Sequence, residues 1–277
     1  MLPKLFCFGL GYSALALARR LLAGGWAVAG TCQSEARAAE LRGLGIDARL
    51  FEHNRSSLEG ATHLLSSVPP DGVGDVVLDA LAGDVRGLEW IGYLSTTGVY
   101  GDTGGAMVDE NSPLAPTSSR SEARVTAEKG WLGLNAHIFR LAGIYGSGRS
   151  PLDRVRSGTA RRIDKPGHAF GRIHVDDIAG VLAASMARPA PGGIYNVCDD
   201  EPAAPAEVIA FACDLLGLKP PPLIAFDNAE KDMSAMALSF WRDNRRVDNS
   251  KIKRDLGVTL QYPTYREGLR AIFEAQN

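Results

Sequence analysis

Six residues near the start of the chain, Gly9-Leu10-Gly11-Tyr12-Ser13-Ala14, have the types and spacing to hold a phosphate. Glycine lets the backbone come close to a bulky anion, because no Cβ stands in the way. A helix opening just after such a turn offers unbonded N–H groups and the positive end of its dipole. The apolar run 5–8 precedes the turn, and an alanine-rich amphipathic stretch, 12–23, follows it. Strand, Gly-x-Gly-x-x-Ala turn and helix in this order suit a dinucleotide pyrophosphate. The motif alone is weak, since a tight strand-to-helix turn with no ligand uses the same glycines. Its place at the head of a chain of β and α units favours the nucleotide. Gly9, Leu10, Gly11, Tyr12, Ser13 and Ala14 are therefore expected to touch the cofactor, together with Ser67, Val68 and Pro69 at the end of a later apolar run.

The second strand ends in Thr31-Cys32-Gln33-Ser34-Glu35-Ala36-Arg37. An acid about 20 residues after the glycines, at the end of that strand, would hold the ribose hydroxyls of NAD. The strand end is neutral here and Glu35 comes late, so NADP is the expected cofactor and NAD the second choice. Gln33, Ser34 and Arg37 are the candidates for its 2′-phosphate side. Ser34 would serve equally as a helix cap and Arg37 as a solvated helix residue.

Such a turn needs a sheet beneath it. Short apolar runs alternate with amphipathic segments, as in repeated βα units. Strands are expected at 5–8, 26–32, 48–51, 63–68, 76–79, 90–95 and 136–140. Helices are expected over 12–23 and 34–42. After Gly146 the stretch 147–172 is polar, basic and glycine-rich. A strand end and helix return at 173–186 and another strand at 193–197. Residues 199–277 read as two or three helices with proline-rich turns. The fold class is α/β, a doubly wound parallel sheet (Rossmann fold) with a smaller, sequence-interleaved C-terminal substrate lobe. The expected division is 1–146 with 173–198 for the nucleotide domain, and 147–172 with 199–277 for the small lobe.

Composition narrows the function further. The 277 residues include 30 basic and 32 acidic side chains, a formal charge of −2, which gives no support to a nucleic-acid partner. No stretch reads as a membrane span. The apolar N-terminal run is rejected as a signal peptide, because Gly9 and Gly11 would break its helix and Arg19-Arg20 follow. Cys7, Cys32, Cys198 and Cys213 are widely spaced and form no CxxC pair, so reduced thiols and a cytoplasmic location are expected. The five histidines show no ligand spacing, and no GxSxG elbow marks a serine nucleophile.

Several further segments, taken in order, resemble the extended short-chain dehydrogenases/reductases, the NAD-dependent epimerase/dehydratase family. They are Ser95-Thr96-Thr97-Gly98-Val99-Tyr100-Gly101, Asp109-Glu110-Asn111-Ser112-Pro113, Arg140-Leu141-Ala142-Gly143-Ile144-Tyr145-Gly146 and Arg172-Ile173-His174-Val175-Asp176-Asp177. Gly193-Ile194-Tyr195-Asn196-Val197 and the stretch from Asn249 to Pro263 continue the match toward the C-terminus. The resemblance implies a Ser/Thr, a Tyr and a Lys at the catalytic centre, the last two as Tyr-x-x-x-Lys on one helix. The Lys lowers the Tyr pKa so that the phenol exchanges a proton while hydride moves.

Counting along the resemblance puts Thr96 in the Ser/Thr position, Arg120 at the Tyr and Arg124 at the Lys. No Tyr or Lys stands between Tyr100 and Lys129, so no realignment restores the pair. A guanidinium stays protonated and cannot act as a general base near neutral pH. Tyr100, Tyr145 and His174 are the remaining proton donors to weigh. The two tyrosines read more simply as packing residues of their motifs, and the Asp176-Asp177 pair after His174 as a helix N-cap. His137, at a strand start, reads as structural, and Asp199-Asp200-Glu201 before Pro202 as a turn and helix start rather than a metal site. The expected function is an oxidoreductase or epimerase-like protein acting on a small-molecule substrate, of the kind the family draws from sugar nucleotides. The alternative is a non-catalytic dinucleotide sensor. Arg149, Arg154, Arg156, Arg161 and Arg162 gather in the 147–172 stretch, as an anion grip or as solvated surface. A homodimer is expected through the helix over 119–132, whose Ala123, Ala127 and Trp131 form an apolar face.

Overall fold

The computed structural model describes residues 2–51, 58–81, 85 and 87–276. Along the chain, β1 (Lys4–Phe8), α1 (Tyr12–Ala23), β2 (Ala27–Cys32), α2 (Glu35–Gly43), β3 (Asp47–Leu50) and β4 (His63–Ser66) come first. Next are α3 (Val76–Leu81), β5 (Trp90–Thr96), β6 (Met107–Val108), α4 (Ser119–Gly133), β7 (His137–Leu141), β8 (Gly143–Tyr145) and α5 (Pro151–Arg156). Then follow β9 (Arg162–Asp164), β10 (Arg172–His174), α6 (Val175–Ala187), β11 (Ile194–Val197), α7 (Pro205–Leu215), β12 (Leu223–Ala225) and α8 (Phe226–Ala229). The chain closes with α9 (Ala235–Arg242), β13 (Arg246–Val247), α10 (Ser250–Leu256) and α11 (Tyr265–Glu274).

Seven strands form one sheet in the order β11-β7-β5-β4-β1-β2-β3, and every neighbouring pair is parallel. The inner strands are buried along almost their whole length, as a parallel sheet covered on both faces requires. Against one face α1 and α6 lay Leu17, Ala18, Leu21, Val181 and Leu182. Against the other, α3 and α4 supply Val77, Leu81, Ala127 and Trp131. The expected doubly wound sheet is thus the observed one. Winding runs outward from β1 to β3, then restarts at β4 and runs the other way. The carboxyl ends of β1 and β4 therefore flank the point where the order reverses, the place where open α/β sheets hold ligands.

Two local readings change. The stretch 76–79, read as a strand, begins α3. Asp75 caps it, its Oδ1 accepting from the amides of Val77 (3.0 Å) and Leu78 (3.1 Å), while Oδ2 accepts from Trp131 Nε1 at 2.8 Å. The C-terminal stretch holds five helices, α7 to α11, rather than two or three. Three smaller cores accompany the two on the sheet faces among the described residues: one joins α5, α7 and α11 through Leu152, Val208, Ala212 and Leu269, a second joins Val99, Tyr100, Val108 and Val247, and the third joins Ile163, Ala229 and Trp241. Ile252, Leu256 and Leu260 instead pack into the main core beside α6, so the C-terminal stretch is shared between sheet and lobe.

Candidate active site

The glycine turn is fixed from beneath. Gly9 has φ +80°, where an L side chain is strained, and its N–H donates to Thr31 Oγ1 at 3.0 Å. Leu10 N–H donates to the Thr31 carbonyl at 2.8 Å and buries its side chain against β2. Gly30 is obligatory there, since a Cβ would lie 2.4 Å from the Cys7 carbonyl oxygen. The Ser67 hydroxyl donates to the Gly9 carbonyl, and Val68 packs 3.0 Å from where a Gly9 Cβ would stand, so the end of β4 braces the turn. Pro69 is exposed beyond them.

Above the turn the picture reverses. Gly11 is exposed, and a Cβ on it would meet nothing within 4 Å. Gly11 caps α1 without a side-chain hydrogen bond, and no acid stands in the first turn. Among the described residues nothing accepts from the amides of Tyr12, Ser13 and Ala14. Three free N–H groups at a positive dipole end, beside open space, form an anion seat. The Tyr12 hydroxyl donates to the Ser147 carbonyl at 2.9 Å, and the Arg149 guanidinium lies 5.8 Å from its ring centroid. The turn is thereby tied to the loop after β8.

At the end of β2, Ser34 caps α2 by accepting from Arg37 N–H at 3.3 Å, and Arg37 pairs with Glu40 at 2.7 Å on the helix surface. Gln33 is exposed, and no carboxylate belongs to the strand end. Both simpler readings of Ser34 and Arg37 thus describe their contacts in the free chain.

A cleft of about 700 Å³ begins at Thr96, past the ends of β5 and β7, and is lined further on by residues of α5, α7, α9 and α11. Phe170, Phe240, Trp241 and Tyr265 line it as aromatic groups, and Arg149, Arg154, Arg172 and Arg245 as cations. Thr96 Oγ1 accepts from Gly98 N–H at 3.1 Å. The other expected catalytic side chains are elsewhere. Arg120 is exposed on the first turn of α4 and does not line the cleft. Arg124 Nη1 donates to the Leu94 carbonyl (2.6 Å) and to the Tyr93 hydroxyl (3.0 Å). Tyr100 is buried, its hydroxyl donating to Asn196 Oδ1 at 2.7 Å and accepting from Arg140 Nη1 at 2.8 Å. Burial raises the Tyr100 pKa, and Arg140 opposes that rise. Of these four residues only Thr96 reaches the cleft. A hydroxyl that the spacing missed, Ser121 Oγ, crowds Gly98 with Thr96: a Cβ on Gly98 would lie 3.0 Å from it and 3.3 Å from Thr96 Oγ1, and it accepts from Ser118 Oγ at 3.1 Å. It sits one residue past the position counted for the phenol.

Beneath the end of β5, Glu128 accepts from Ser95 Oγ (2.6 Å) and from Arg140 through Nε (3.1 Å) and Nη2 (2.8 Å). Asn196 N–H donates to Glu110 at 2.7 Å, extending the network to β11. His137, read as structural, accepts the Ala190 amide at Nε2 (2.8 Å) and has Nδ1 2.9 Å from the Ile91 carbonyl. Asp176-Asp177, read as a helix cap, divides its work differently. His174 caps α6 through Nδ1, and Asp177 accepts from the amides of Gln261 (2.6 Å) and Tyr262 (3.0 Å). Tyr145 lines the cleft, but burial pushes its phenol far up. Asp199, read as part of a turn, is buried with neither carboxylate oxygen hydrogen-bonded among the described residues. Burial pushes its pKa up to about 8, against the pull of Arg172.

Protein YeeZ of Escherichia coli (strain K12) is 30% identical over 289 aligned positions, covering 95% of this chain and 97% of that protein. The chain belongs to the YeeZ family. A solved structure of a conserved protein of unknown function from Silicibacter pomeroyi DSS is 49% identical, covers 99% of both chains and superposes with a TM-score of 0.93. No family model matches the chain. The fold is that of the NAD-dependent epimerases and dehydratases, as the resemblance implied. The dTDP-glucose 4,6-dehydratase of Bacillus anthracis str. Ames, solved in complex with NAD, superposes with a TM-score of 0.78 at 15% identity over 98% of this chain and 96% of that one.

Sequence reasoning named Arg149 and Arg154 but not Arg172, Arg245, Phe170 or Trp241. Arg172 stood inside the IHVDD segment that carried the resemblance, yet nothing in its neighbours marks it as facing a cleft. Among the described residues, no group of His, Cys, Asp and Glu is placed to hold a metal. No helix there is long and apolar enough to cross a membrane.

Proposed function

We propose that the chain binds NADP, with NAD second, on the Gly9–Ala14 turn, and a small-molecule substrate in the adjoining cleft. Its reaction is of the oxidoreductase or epimerase type, run without a Tyr-x-x-x-Lys pair, since Arg120 and Arg124 stand at those positions. The observation that carries this reading is the unbonded first turn of α1 beside an open Gly11, at the sheet's reversal point. NAD in the complexes of fold neighbours supports the class of cofactor. The neutral end of β2 supports the 2′-phosphate, which a carboxylate there would repel.

A dinucleotide held on this turn would supply hydride exchange with a substrate carbon. In this reading Thr96 holds a substrate oxygen. The interleaved lobe, 147–172 with much of 199–277, forms the far wall of the cleft. Buried, unpaired cysteines fit a reducing cytoplasm. A homodimer is part of this reading, but not through Ala127 and Trp131, which the core takes up.

Calorimetry with NADPH and NADH tests the cofactor. NADPH should bind more tightly, and Gly11→Val should abolish binding. A Cβ at Gly11 meets no heavy atom within 4 Å, so a loss of binding with thermal stability retained would report blocked ligand approach rather than misfolding. Failure of both nucleotides to bind wild type would end the proposal.

A second reading, a non-catalytic dinucleotide sensor, is favoured by the cleft itself. Among the described residues no histidine or lysine lines it, and Tyr100 and Arg124 are committed to internal hydrogen bonds. Turnover with a bell-shaped pH profile near neutrality would exclude the sensor. Binding of dinucleotide with no turnover across carbonyl and sugar-nucleotide substrates would support it.

A further inference from the structure

The charges around the cleft do not balance. Asp243 is paired with Arg245 at 2.9 Å and accepts from Thr117 Oγ1 at 2.7 Å. Asp153 accepts from the Ser150 amide (2.7 Å) and hydroxyl (2.8 Å), closing the capping box of α5. Both acids of the lining are thus engaged, and Arg245 is neutralised. Arg149, Arg154 and Arg172 have no carboxylate within 4 Å among the described residues, and all three line the cleft. Arg172 uses Nη1 on two neutral carbonyls, Phe170 (2.8 Å) and Ala203 (3.0 Å). Burial works against its charge; the Asp199 carboxylate, which makes no ion pair with it within 4 Å, pulls the other way, and the charge of Arg154 is close enough to act on it. The same cleft also has an apolar lining. Trp241 and Phe170 meet edge to face, with centroids 5.3 Å apart, and Phe240 is 59% exposed, a large apolar surface with nothing over it.

Two like charges on one wall cost free energy unless an anion lies between them. An exposed aromatic group at the mouth of a cleft is covered when a flat ligand enters. We propose that the cleft takes a small ligand with one acidic head, carboxylate or phosphate, held by Arg154 and Arg172, and a flat apolar body laid on Phe170, Trp241 and Phe240. This rests on the cleft being the substrate site of the proposed function and narrows its occupant to aromatic or hydrophobic acids. A guanidinium fork suits either head group.

The test uses the full chain, with and without NADPH, and three probes: 3-phenylpropionate, phenyl phosphate and the neutral 3-phenylpropanamide. Titration followed by NMR shift changes reads affinities down to the millimolar range expected of such small probes. At least one acid should bind at least about 10-fold more tightly than the amide, and the tighter acid names the head group. Arg172→Lys and the surface variant Arg154→Gln should each weaken that acid about 10-fold without a large loss of thermal stability. Amide and acids binding alike, acid binding that ignores both substitutions, or no binding by any probe would each overturn the proposal. Loss of NADPH binding with acid binding retained would instead strike the cofactor reading alone.

Discussion

Two buried carboxylates lie at the carboxyl edge of the same sheet and are treated in opposite ways. Glu128 is 2% exposed and is met by a serine hydroxyl and a two-nitrogen grip from Arg140. Asp199 is 3% exposed; its amide donates to the Arg172 carbonyl at 2.6 Å, but neither carboxylate oxygen has a hydrogen-bond partner among the described residues. A buried charge is tolerable when paired and hydrogen-bonded; otherwise the group moves its pKa and sheds the charge. Glu128 therefore belongs to a closed network that ties β5, α4 and β7 together and asks nothing of a ligand. Asp199 follows β11 beside Arg172, whose guanidinium faces the cleft, and there the protein leaves electrostatic demand unmet. The closed network lies between β5, α4 and β7, and the unbalanced charge lies further along the same edge, beyond β11 and beside β10.

The largest expected effect breaks the closed network. Glu128→Ala leaves Arg140 buried and unpaired and should destabilise the fold by about 3–5 kcal/mol, read by urea unfolding. Replacing Glu128 and Arg140 together with Leu and Met should be much milder, because no lone charge remains. Equal losses from the single and double variants would show that packing, not charge, governs the site.

Asp199→Asn should act in the other direction and only at higher pH. The unfolded carboxylate titrates near its ordinary value, about 3.9, and the folded one near 8. Between those values the folded state holds the extra proton, so stability falls as pH rises through that window and levels off above it. The asparagine variant lacks this slope. Its Tm should exceed wild type by on the order of 5–10 °C at pH 9 and match it near pH 4. Parallel Tm curves from pH 4 to pH 9 would mean that Asp199 titrates normally.

Ser95→Ala removes one of the hydrogen bonds to Glu128 and should cost about 1–2 kcal/mol, a finer gauge of how closed that network is. Arg37→Ala is the smallest expected effect. Its surface pair with Glu40 should be worth no more than about 0.5 kcal/mol. The same variant reads cofactor choice: a selective loss of NADPH over NADH would show that Arg37 leaves Glu40 to meet the 2′-phosphate.

The parts of this architecture that could be read from sequence are those set by local pattern. The strand, glycine turn and helix over 4–23 follow from one apolar run, two glycines and a helical period, and Ser34 caps α2 as its type suggests. The stretch 76–79 failed because three successive apolar residues look like a buried strand. The helix is set by Asp75, whose other oxygen answers Trp131, a contact 56 residues away. The missing Tyr and Lys were legible as absences. What Arg124 does instead was not, since Tyr93 and Leu94 come beside it only when α4 lies against β5. The cleft arginines are a similar case: Arg154 and Arg172 share a wall because α5 and β10 converge, and no spacing in the chain announces it.

Tyr12 carries one further consequence. Its backbone belongs to the first turn of α1, and its hydroxyl grips the loop that presents Arg149 to the cleft. The two seats thus share a single latch. Thermodynamic reciprocity then fixes a relation between them: whatever factor a nucleotide on the glycine turn applies to the affinity of the cleft's ligand, that ligand applies to the nucleotide. Tyr12→Phe keeps the ring and cuts the latch, so the two binding events should become closer to independent.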